Sequence, residues 1–493
     1  MKDTFATRDA VIARATDIFD TGGLLATLRR RVAIRSESQE PAQAAQSLAY
    51  LQDEIAPALA RLGFTTRLLA NPVAAHAPLL FAERHEDPTL PTVLTYAHGD
   101  VVRGYEGQWA DGRSPWEVTV DGDRWYGRGT ADNKGQHTIN LAALEAVIAA
   151  RGGKLGFNLK IIVETGEEID SPGLKAVCEA AKDTFAADLF LASDGPRVSA
   201  DRPTVFLGSR GELNLELRVD LRSGAHHSGN WGGVLANPVV ILSHAIASLL
   251  DARGRIAVEG LRPPAIPDAV RLALADIELG QDASSPAIDP DWGEPGLSPA
   301  ERVVAWNAFE VLAIKAADVD APIGAIPPVA RAICQWRFVV GSDWTRVRQN
   351  LEAHLSQHGF SDVQVIVHEA VEATRLDPEN PWVEWALRSI QRTTGKKPAL
   401  LPNLGGTLPN AIFANVLKLP TVWVPHAYPA CSQHAPNEHL LASGARESLA
   451  LMAELWWDLG DIHTTSDQGA AGTTRNNRAP RPAVSSHKAP SGA

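Results

Sequence analysis

Two hydrophobic periodicities follow one another along the chain. Up to residue 203, segments with apolar residues at helical spacing, such as GQHTINLAALEAVIAA at 135–150, alternate with short continuous apolar runs. The runs PTVLTYAH at 91–98 and ADLFLASDG at 187–195 have the length and composition of buried strands. Strands that alternate with helices predict a largely parallel sheet that is covered by helices on both faces.

The period changes near residue 204. The segment TVFLGSRGELNLELRVDLRS at 204–223 alternates apolar and polar residues, and so does AIPPVARAICQWRFVV at 325–340. Such alternation is typical of antiparallel strands with one buried and one half-exposed face. A helical pattern at 237–253 lies between these two segments, so this part of the chain predicts an α+β unit.

The first pattern returns after Pro381, where a helical segment leads to the buried-strand run LPTVWVPH. We therefore expect an α/β fold that is interrupted by an inserted α+β unit. The C-terminal segment has almost no apolar side chains, which predicts a disordered tail. The predicted division is 1–207 and 375–463 for the two parts of the α/β domain, 208–374 for the insertion, and 464–493 for the tail.

Composition narrows the classes of function. A chain of 493 residues is longer than one hydrophobic core usually supports, which agrees with two units. The formal net charge of −12 argues against a general nucleic-acid binder, because phosphate contacts need clustered Lys and Arg. No apolar run is long enough to span a bilayer, so we expect no membrane partner. Three scattered cysteines without a CxxC pair indicate a reducing compartment, and we expect a cytoplasmic protein that acts on a small molecule or short peptide.

Polar clusters lie where predicted strands end or in the loops that follow. In open α/β sheets, ligands bind beyond the carboxyl ends of the strands, so these side chains are candidates for one site. The clusters are His98 with Asp100, Asp132, Glu167 with Glu168, Asp194, and His434.

Each of these residues has a simpler interpretation when taken alone. Asp132 could cap the following helix, Asp194 could belong to a turn, and the glutamate pair could be an acidic helix start. A single histidine is more often structural than a ligand. Together, however, two imidazoles and three or four carboxylates at one sheet edge would repel one another unless cations lay between them. The set suits two divalent ions, such as zinc, manganese or cobalt, bridged by one carboxylate.

Five motifs in order resemble a known enzyme family. They are HGDVV, GRGTADNKGQ, TGEEIDSPG, HHSGNWGG and HAPNE, which lie in this order between His98 and Glu438, and the resemblance covers about residues 20–460. Their order and spacing resemble the dinuclear metallopeptidases that include carnosine dipeptidases, acetylornithine deacetylase, succinyl-diaminopimelate desuccinylase and carboxypeptidases that remove glutamate. The resemblance implies a zinc-peptidase-like catalytic domain with an inserted lid and dimerisation domain, and hence a homodimer.

The resemblance also implies a role for each site residue. Asp132 would bridge two metal ions, with His98 and Asp194 on the first ion and His434 and Glu168 on the second. Asp100 would accept the other ring proton of His98 and fix its tautomer.

Glu167 would act as the general base toward the attacking water. His227 of the lid would reach the neighbouring subunit's site and stabilise the oxyanion. Arg337, with Gly406 and Thr407 of a glycine loop, would hold a substrate carboxylate, although Arg337 could instead be a surface strand residue.

The expected activity is metal-dependent hydrolysis of an amide bond in a dipeptide or N-acyl amino acid. Two alternatives stay open at this point. One is an N-acyl amino acid deacylase or a hydrolase of a non-peptide amide or aryl amine. The other is a non-catalytic metal-binding scaffold, against which Glu167 argues, since a structural metal site needs no extra unliganded carboxylate.

Overall fold

The computed structural model describes residues 7–280 and 285–469. Helices and strands alternate over the first half of the chain, as the apolar runs predict. In chain order the strands are β1 (Thr65–Leu69), β2 (Leu79–Arg84), β3 (Thr92–His98), β4 (Thr119–Asp121), β5 (Arg124–Tyr126), β6 (Asn158–Glu164), β7 (Leu189–Ala192), β8 (Thr204–Phe206), β9 (Gly211–Asp220), β10 (His226–His227), β11 (Ala308–Lys315), β12 (Ala325–Ile326), β13 (Val329–Phe338), β14 (Val363–Val371), β15 (Ala399–Leu401), β16 (Thr421–Trp423) and β17 (His439–Leu441).

The helices cover both sheets. They are α1 (Arg8–Asp20), α2 (Gly23–Val32), α3 (Ala44–Ala49), α4 (Ala56–Arg61), α5 (Lys134–Ala150), α6 (Leu174–Ala180), α7 (Lys182–Phe185), α8 (Ser228–Trp231), α9 (Pro238–Leu249), α10 (Asp268–Leu274), α11 (Pro299–Val304), α12 (Val347–Gln357), α13 (Pro381–Thr394) and α14 (Ala442–Gly469). Within the described residues, none of these helices is both long enough and apolar enough to cross a membrane.

The larger sheet has the strand order β1-β2-β6-β3-β7-β16-β8-β15. Its central pairs β6–β3, β3–β7 and β7–β16 are parallel, whereas β1, β2 and the β16–β8 contact are antiparallel. One face packs against α5 and α14, where Ile139, Leu144 and Trp456 are fully buried. Parallel central strands bring their carboxyl ends to one edge, which is where the candidate residues lie.

The second sheet is antiparallel, with the order β11-β13-β9-β14. Along β9 the side chains of Leu213, Leu215 and Leu217 are buried, and they pack with Leu242 of α9 and Leu351 of α12. The polar residues that alternate with them lie on the other face. The alternation in the sequence thus produces a sheet with helices on one side only.

The two sheets are joined where two chain segments run side by side. Thr374 donates its backbone N–H to the oxygen of Ser209, and Leu376 donates to Leu207. A Cβ on Gly208 would lie 2.2 Å from the backbone oxygen of Thr374, so this approach requires glycine. The strands of the second sheet all lie in the part of the chain between these two segments, within residues 208–374. The exact division into domains stays a prediction.

Three elements differ from the sequence expectations. The segment 204–223 is not one strand, because it bends at Gly208 so that β8 joins the large sheet and β9 the second. The segment AAQSLAYLQDEIAPALARLGF at 44–64 has apolar residues at helical spacing and predicts a single helix, but a π-helical segment, Tyr50–Ile55, lies between α3 and α4. Helix α14 runs to Gly469, six residues into the predicted tail, and 470–493 lie outside the described residues.

Candidate metal centre

Five predicted ligand side chains come together at the carboxyl edge of the large sheet. Each one ends a strand or lies in a loop beside that edge. They are His98 at the end of β3, Asp194 after β7, Glu168 in the 3-10 turn after β6, Asp132 before α5, and His434 after β16.

Asp132 lies between the two histidines. Its Oδ1 is 2.9 Å from Nε2 of His98, and its Oδ2 is 3.0 Å from Nε2 of His434. Asp132 does not cap the following helix, because the N-cap position is Asn133 and no side-chain capping bond forms there. One carboxylate therefore faces both imidazoles, one oxygen to each.

The two remaining carboxylates divide between the histidines. Asp194 Oδ2 lies 3.6 Å from Nε2 of His98, and Glu168 Oε2 lies 3.0 Å from Nε2 of His434. Single donor atoms of His98, Asp132 and Glu168 all lie within 4.8 Å of one another. The arrangement consists of two imidazole–carboxylate pairs with Asp132 shared between them.

The charges of these groups are strongly coupled. Burial by itself raises the pKa of Asp132, but hydrogen bonds from His434 and His98 outweigh it and hold that pKa below its ordinary value. Hydrogen bonds to Asp132 and Glu168 raise the pKa of His434 to about 11. Burial and the nearby Asp132 charge raise the pKa of Glu168 to about 7. The protons held by these groups offset the negative charge of the carboxylates. A bound divalent cation would take over that role.

The donor set fits divalent metal ions. Oδ2 of Asp194 is buried and has no hydrogen-bond partner among the described residues, although Oδ1 accepts the backbone N–H of Gly195. A buried carboxylate oxygen without a partner is costly unless a cation or proton binds it. Imidazole nitrogen mixed with carboxylate oxygen suits zinc, manganese or cobalt, whereas Ca²⁺ and Mg²⁺ prefer oxygen alone.

Asp100 contacts both His98 and the turn that carries the glutamate pair. Nδ1 of His98 lies 3.1 Å from the backbone oxygen of Asp100 and 3.4 Å from its carboxylate. The carboxylate also accepts the backbone N–H groups of Glu167, at 3.2 Å, and Glu168, at 3.1 Å. Asp100 thus holds both the imidazole and the turn that carries the glutamate pair.

Glu167 lines a cleft between the two sheets. The cleft has a volume of about 290 Å³, and its lining includes Glu167, Asp170, Glu212, Arg337, Thr407 and Ile412. Burial raises the pKa of Glu167 well above the ordinary value, opposed by His98 and reinforced by Asp194. The glutamate pair therefore diverges, with Glu168 at His434 and Glu167 at the cleft.

Arg337 lies in the same cleft and is already paired. Its Nη1 is 2.6 Å from Oε2 of Glu212 and 2.5 Å from Oγ1 of Thr407, and its Nε donates to Gln335. Glu212 is directly opposite Arg337 in the β9–β13 register, so this pair follows from strand alignment. Sequence reasoning missed Glu212, because cross-strand register is not visible in a single sequence. Gly406 is exposed beside Thr407.

His227 is exposed on the two-stranded ribbon of β10 and β12. It does not belong to the cleft lining that the described residues form. His227 is therefore separate from the cleft of its own subunit.

Glu438 is a second residue that the sequence did not single out. It is fully buried, and its carboxylate accepts backbone N–H groups from the loop that carries Asp132. Its position four residues after His434, in the motif HAPNE, is the signal that could have identified it.

Comparisons with known proteins agree with this geometry. The sequence profile described as peptidase family M20/M25/M40 matches residues 94–458. A cysteinylglycine-S-conjugate dipeptidase from Corynebacterium striatum is 27% identical over 360 residues, which cover 69% of this chain and 74% of the relative. A beta-Ala-His dipeptidase from Homo sapiens is 26% identical over 470 residues, or 89% of this chain and 90% of the relative.

The fold is also similar to solved structures. The di-peptidase Dug1p from Saccharomyces cerevisiae superimposes with a TM-score of 0.76 at 19% sequence identity, covering 93% of this chain and 99% of that one. At this identity the likeness concerns the fold, and it extends over both the large sheet and the inserted unit.

Proposed function

The chain belongs to peptidase family M20/M25/M40, and within that family we propose that it is a metal-dependent dipeptidase. The observation that carries the proposal is the shared position of Asp132 between two imidazole–carboxylate pairs at the edge of a cleft. The relatives named as dipeptidases for cysteinylglycine S-conjugates and for beta-Ala-His, whose matches cover 69% and 89% of this chain, support a dipeptide as the substrate.

We assign two divalent ions to the site. His98 and Asp194 would hold the first, His434 and Glu168 the second, and Asp132 both. When bound, such ions supply Lewis acidity to the scissile carbonyl oxygen and to the attacking water.

The chain's own residues then carry the proton. Glu167 faces the cleft beside the candidate ligands, so it takes the proton of the attacking water and delivers it to the leaving nitrogen. Asp100 keeps the base in place by accepting the N–H of Glu167.

Arg337 binds the free carboxylate at the end of the dipeptide. Its pairing with Glu212 and Thr407 fixes the direction of the guanidinium. A guanidinium with remaining N–H groups can still donate to a substrate carboxylate, and the backbone at Gly406 lies beside it. A dipeptide places such a carboxylate one residue beyond the scissile bond.

We further propose a homodimer formed through the inserted unit. Strand β11 is an edge strand of its sheet among the described residues, and Leu312 and Ile314 on it are more than half exposed. Val319 and Ile323, in the segment after β11, are also exposed. Exposed apolar residues on a free strand edge favour association with a second copy. His227 of the partner subunit would then complete the site as an oxyanion donor.

We place the protein in the cytoplasm, because Cys178, Cys334 and Cys431 are all buried and unpaired in the described part of the chain.

The proposal is tested by a substrate screen in which metal is the variable. Protein stripped with a chelator should lose turnover of dipeptides and recover it on addition of manganese, zinc or cobalt, with two ions bound per subunit. N-acyl amino acids without a free amino group serve as the competing substrates. Full turnover in excess chelator with no metal bound would contradict the metal role, and exclusive turnover of N-acyl amino acids would identify a deacylase.

A further inference from the structure

The carboxylate of Glu438 lies at the centre of four converging hydrogen-bond donors. Oε1 accepts the backbone N–H of Ala131 at 2.8 Å and of Asp132 at 3.0 Å. Oε2 accepts the backbone N–H of Gly129 at 3.0 Å and Nη1 of Arg128 at 2.6 Å. The side chains of Glu438 and Arg128 are both 1% exposed, so these contacts are shielded from bulk solvent.

Glu438 connects the loop that carries Asp132 with the loop that carries His434. It follows His434 by four residues, and its own backbone oxygen accepts the N–H of Gly127. The His434 loop has positive φ angles at Ser432, His434 and Asn437, a backbone conformation that residues other than glycine rarely adopt. Such a loop needs fixed contacts to hold its shape, and Glu438 supplies five of them.

The charge of Glu438 is balanced on the side away from the metal ligands. Arg128 is held there by a bond from Nε to the backbone oxygen of Arg103 and lies against the rings of Tyr105 and Trp109. This cation offsets a carboxylate that is otherwise buried close to Asp132. A carboxylate suits this place because all four groups that face it are donors, whereas an amide would present a donor to two of them.

We propose that Glu438 is a positioning residue that sets the place of Asp132 relative to His434 and thereby permits both metal ions to bind together. The inference rests on the proposed metal-binding roles of Asp132 and His434. Glu438 touches no reacting atom, and it acts through the backbone of the loop that presents Asp132. Its loss should therefore affect the second metal ion more than the first, because the second depends on His434, which lies in the loop that Glu438 anchors, whereas His98 and Asp194 of the first lie outside the two loops that Glu438 connects.

The test is a titration of the metal-free Glu438→Gln variant with Co²⁺, in which binding is measured from the visible absorption spectrum of the bound ion. Metal analysis after dialysis gives the number of ions bound per subunit. The variant should bind one ion per subunit almost as tightly as the wild type, and the second ion about tenfold to a hundredfold more weakly. High metal concentration should restore part of the turnover, with a lowered kcat and a nearly unchanged KM.

Glu454→Gln is the matched control. Glu454 is also fully buried and paired with an arginine, Arg8, but its partners lie on helices remote from the sheet edge. Both variants should lower thermal stability, whereas only Glu438→Gln should change the second metal affinity. If Glu438→Gln does not fold, Glu438→Asp keeps the charge but is too short to reach all four donors, and it should show an intermediate loss.

Two outcomes separate the possible failures. A wild-type protein that binds no Co²⁺ would remove the proposed function itself. A wild type that binds two ions, with Glu438→Gln or Glu438→Asp equal to it or no different from Glu454→Gln, would overturn the positioning role alone.

Discussion

At the residue scale, the adjacent residues Glu167 and Glu168 lie in different surroundings and are suited to different roles. Both backbone N–H groups are held by Asp100, so the turn is fixed at its centre. From that fixed turn, Glu168 reaches His434 and Glu167 faces the cleft. The physical separation of a metal ligand from a proton acceptor thus depends on a 3-10 turn that lets neighbouring side chains diverge.

Glu167→Gln and Glu168→Gln should therefore differ in kind. Glu167→Gln should lower turnover by about a hundredfold to ten-thousandfold, because an amide cannot accept the proton. Its metal content should stay near the wild-type value. The second should also lower metal affinity, because it removes a ligand atom beside His434. Steady-state kinetics with metal analysis of the same samples measures both effects. The opposite pattern would show that the two roles are exchanged.

At the element scale, hydrophobic periodicity predicted the parallel sheet and the antiparallel insertion because both signals are local. Buried strands such as β3 appear as continuous apolar runs, and β9 as a strict alternation. The ends of those strands then predicted which polar residues share one edge. The bend at Gly208 was missed because it depends on the close passage of Thr374, a contact between residues distant in sequence.

The same limit applies to the site itself. The five ligand candidates were identified from residue type and motif, and their side chains lie close together in the structure. Their roles as metal ligands stay a prediction. The contacts of the Asp100 carboxylate with the glutamate turn, and of Glu212 with Arg337, were not predictable, because each depends on a neighbour that only folding brings near. Glu438 could have been identified only from its place in the motif HAPNE. The π-helical segment that places Tyr50 against His137 has no signal in the apolar pattern either.

Helix α5 and the Asp132 loop should be sensitive to one added methyl group. A Cβ on Gly135 would lie 1.8 Å from the backbone oxygen of Thr130, so the loop that carries Asp132 would have to move. Gly135→Ala should lower the free energy of unfolding by about 1–3 kcal/mol and weaken metal binding. Chemical denaturation of the metal-free protein and a metal titration measure these two effects.

Gly444→Ala is the matched control for this substitution. Gly444 also lies in the first turn of a helix, but its nearest neighbour for an added Cβ is Leu441 at 3.5 Å, an ordinary contact. Alanine there should be neutral or slightly stabilising. Equal stability and metal affinity in the two variants would mean that the loop around Thr130 relaxes without cost.

At the scale of the whole molecule, the exposed position of His227 raises the question of which site it serves. It lies on a ribbon of the inserted unit and is not part of its own subunit's cleft lining. The same unit carries the exposed apolar edge at β11 that we propose as the contact between subunits. A dimer through that edge would bring the ribbon of one subunit toward the site of the other.

Subunit mixing tests this arrangement directly. Glu167→Gln lacks the base and His227→Ala lacks the oxyanion donor, so each homodimer should be impaired, the latter by about a hundredfold to a thousandfold. In a mixed dimer of twofold symmetry, one of the two sites receives Glu167 from its own subunit and His227 from the partner subunit. With complete exchange at equal amounts, half of the dimers are mixed, so activity should return to about one quarter of the wild-type value. Mixing each variant with itself is the control, and mass spectrometry of the intact dimers verifies exchange. Mixed dimers that form without any recovery, or a fully active monomer, would show that His227 does not act across the interface.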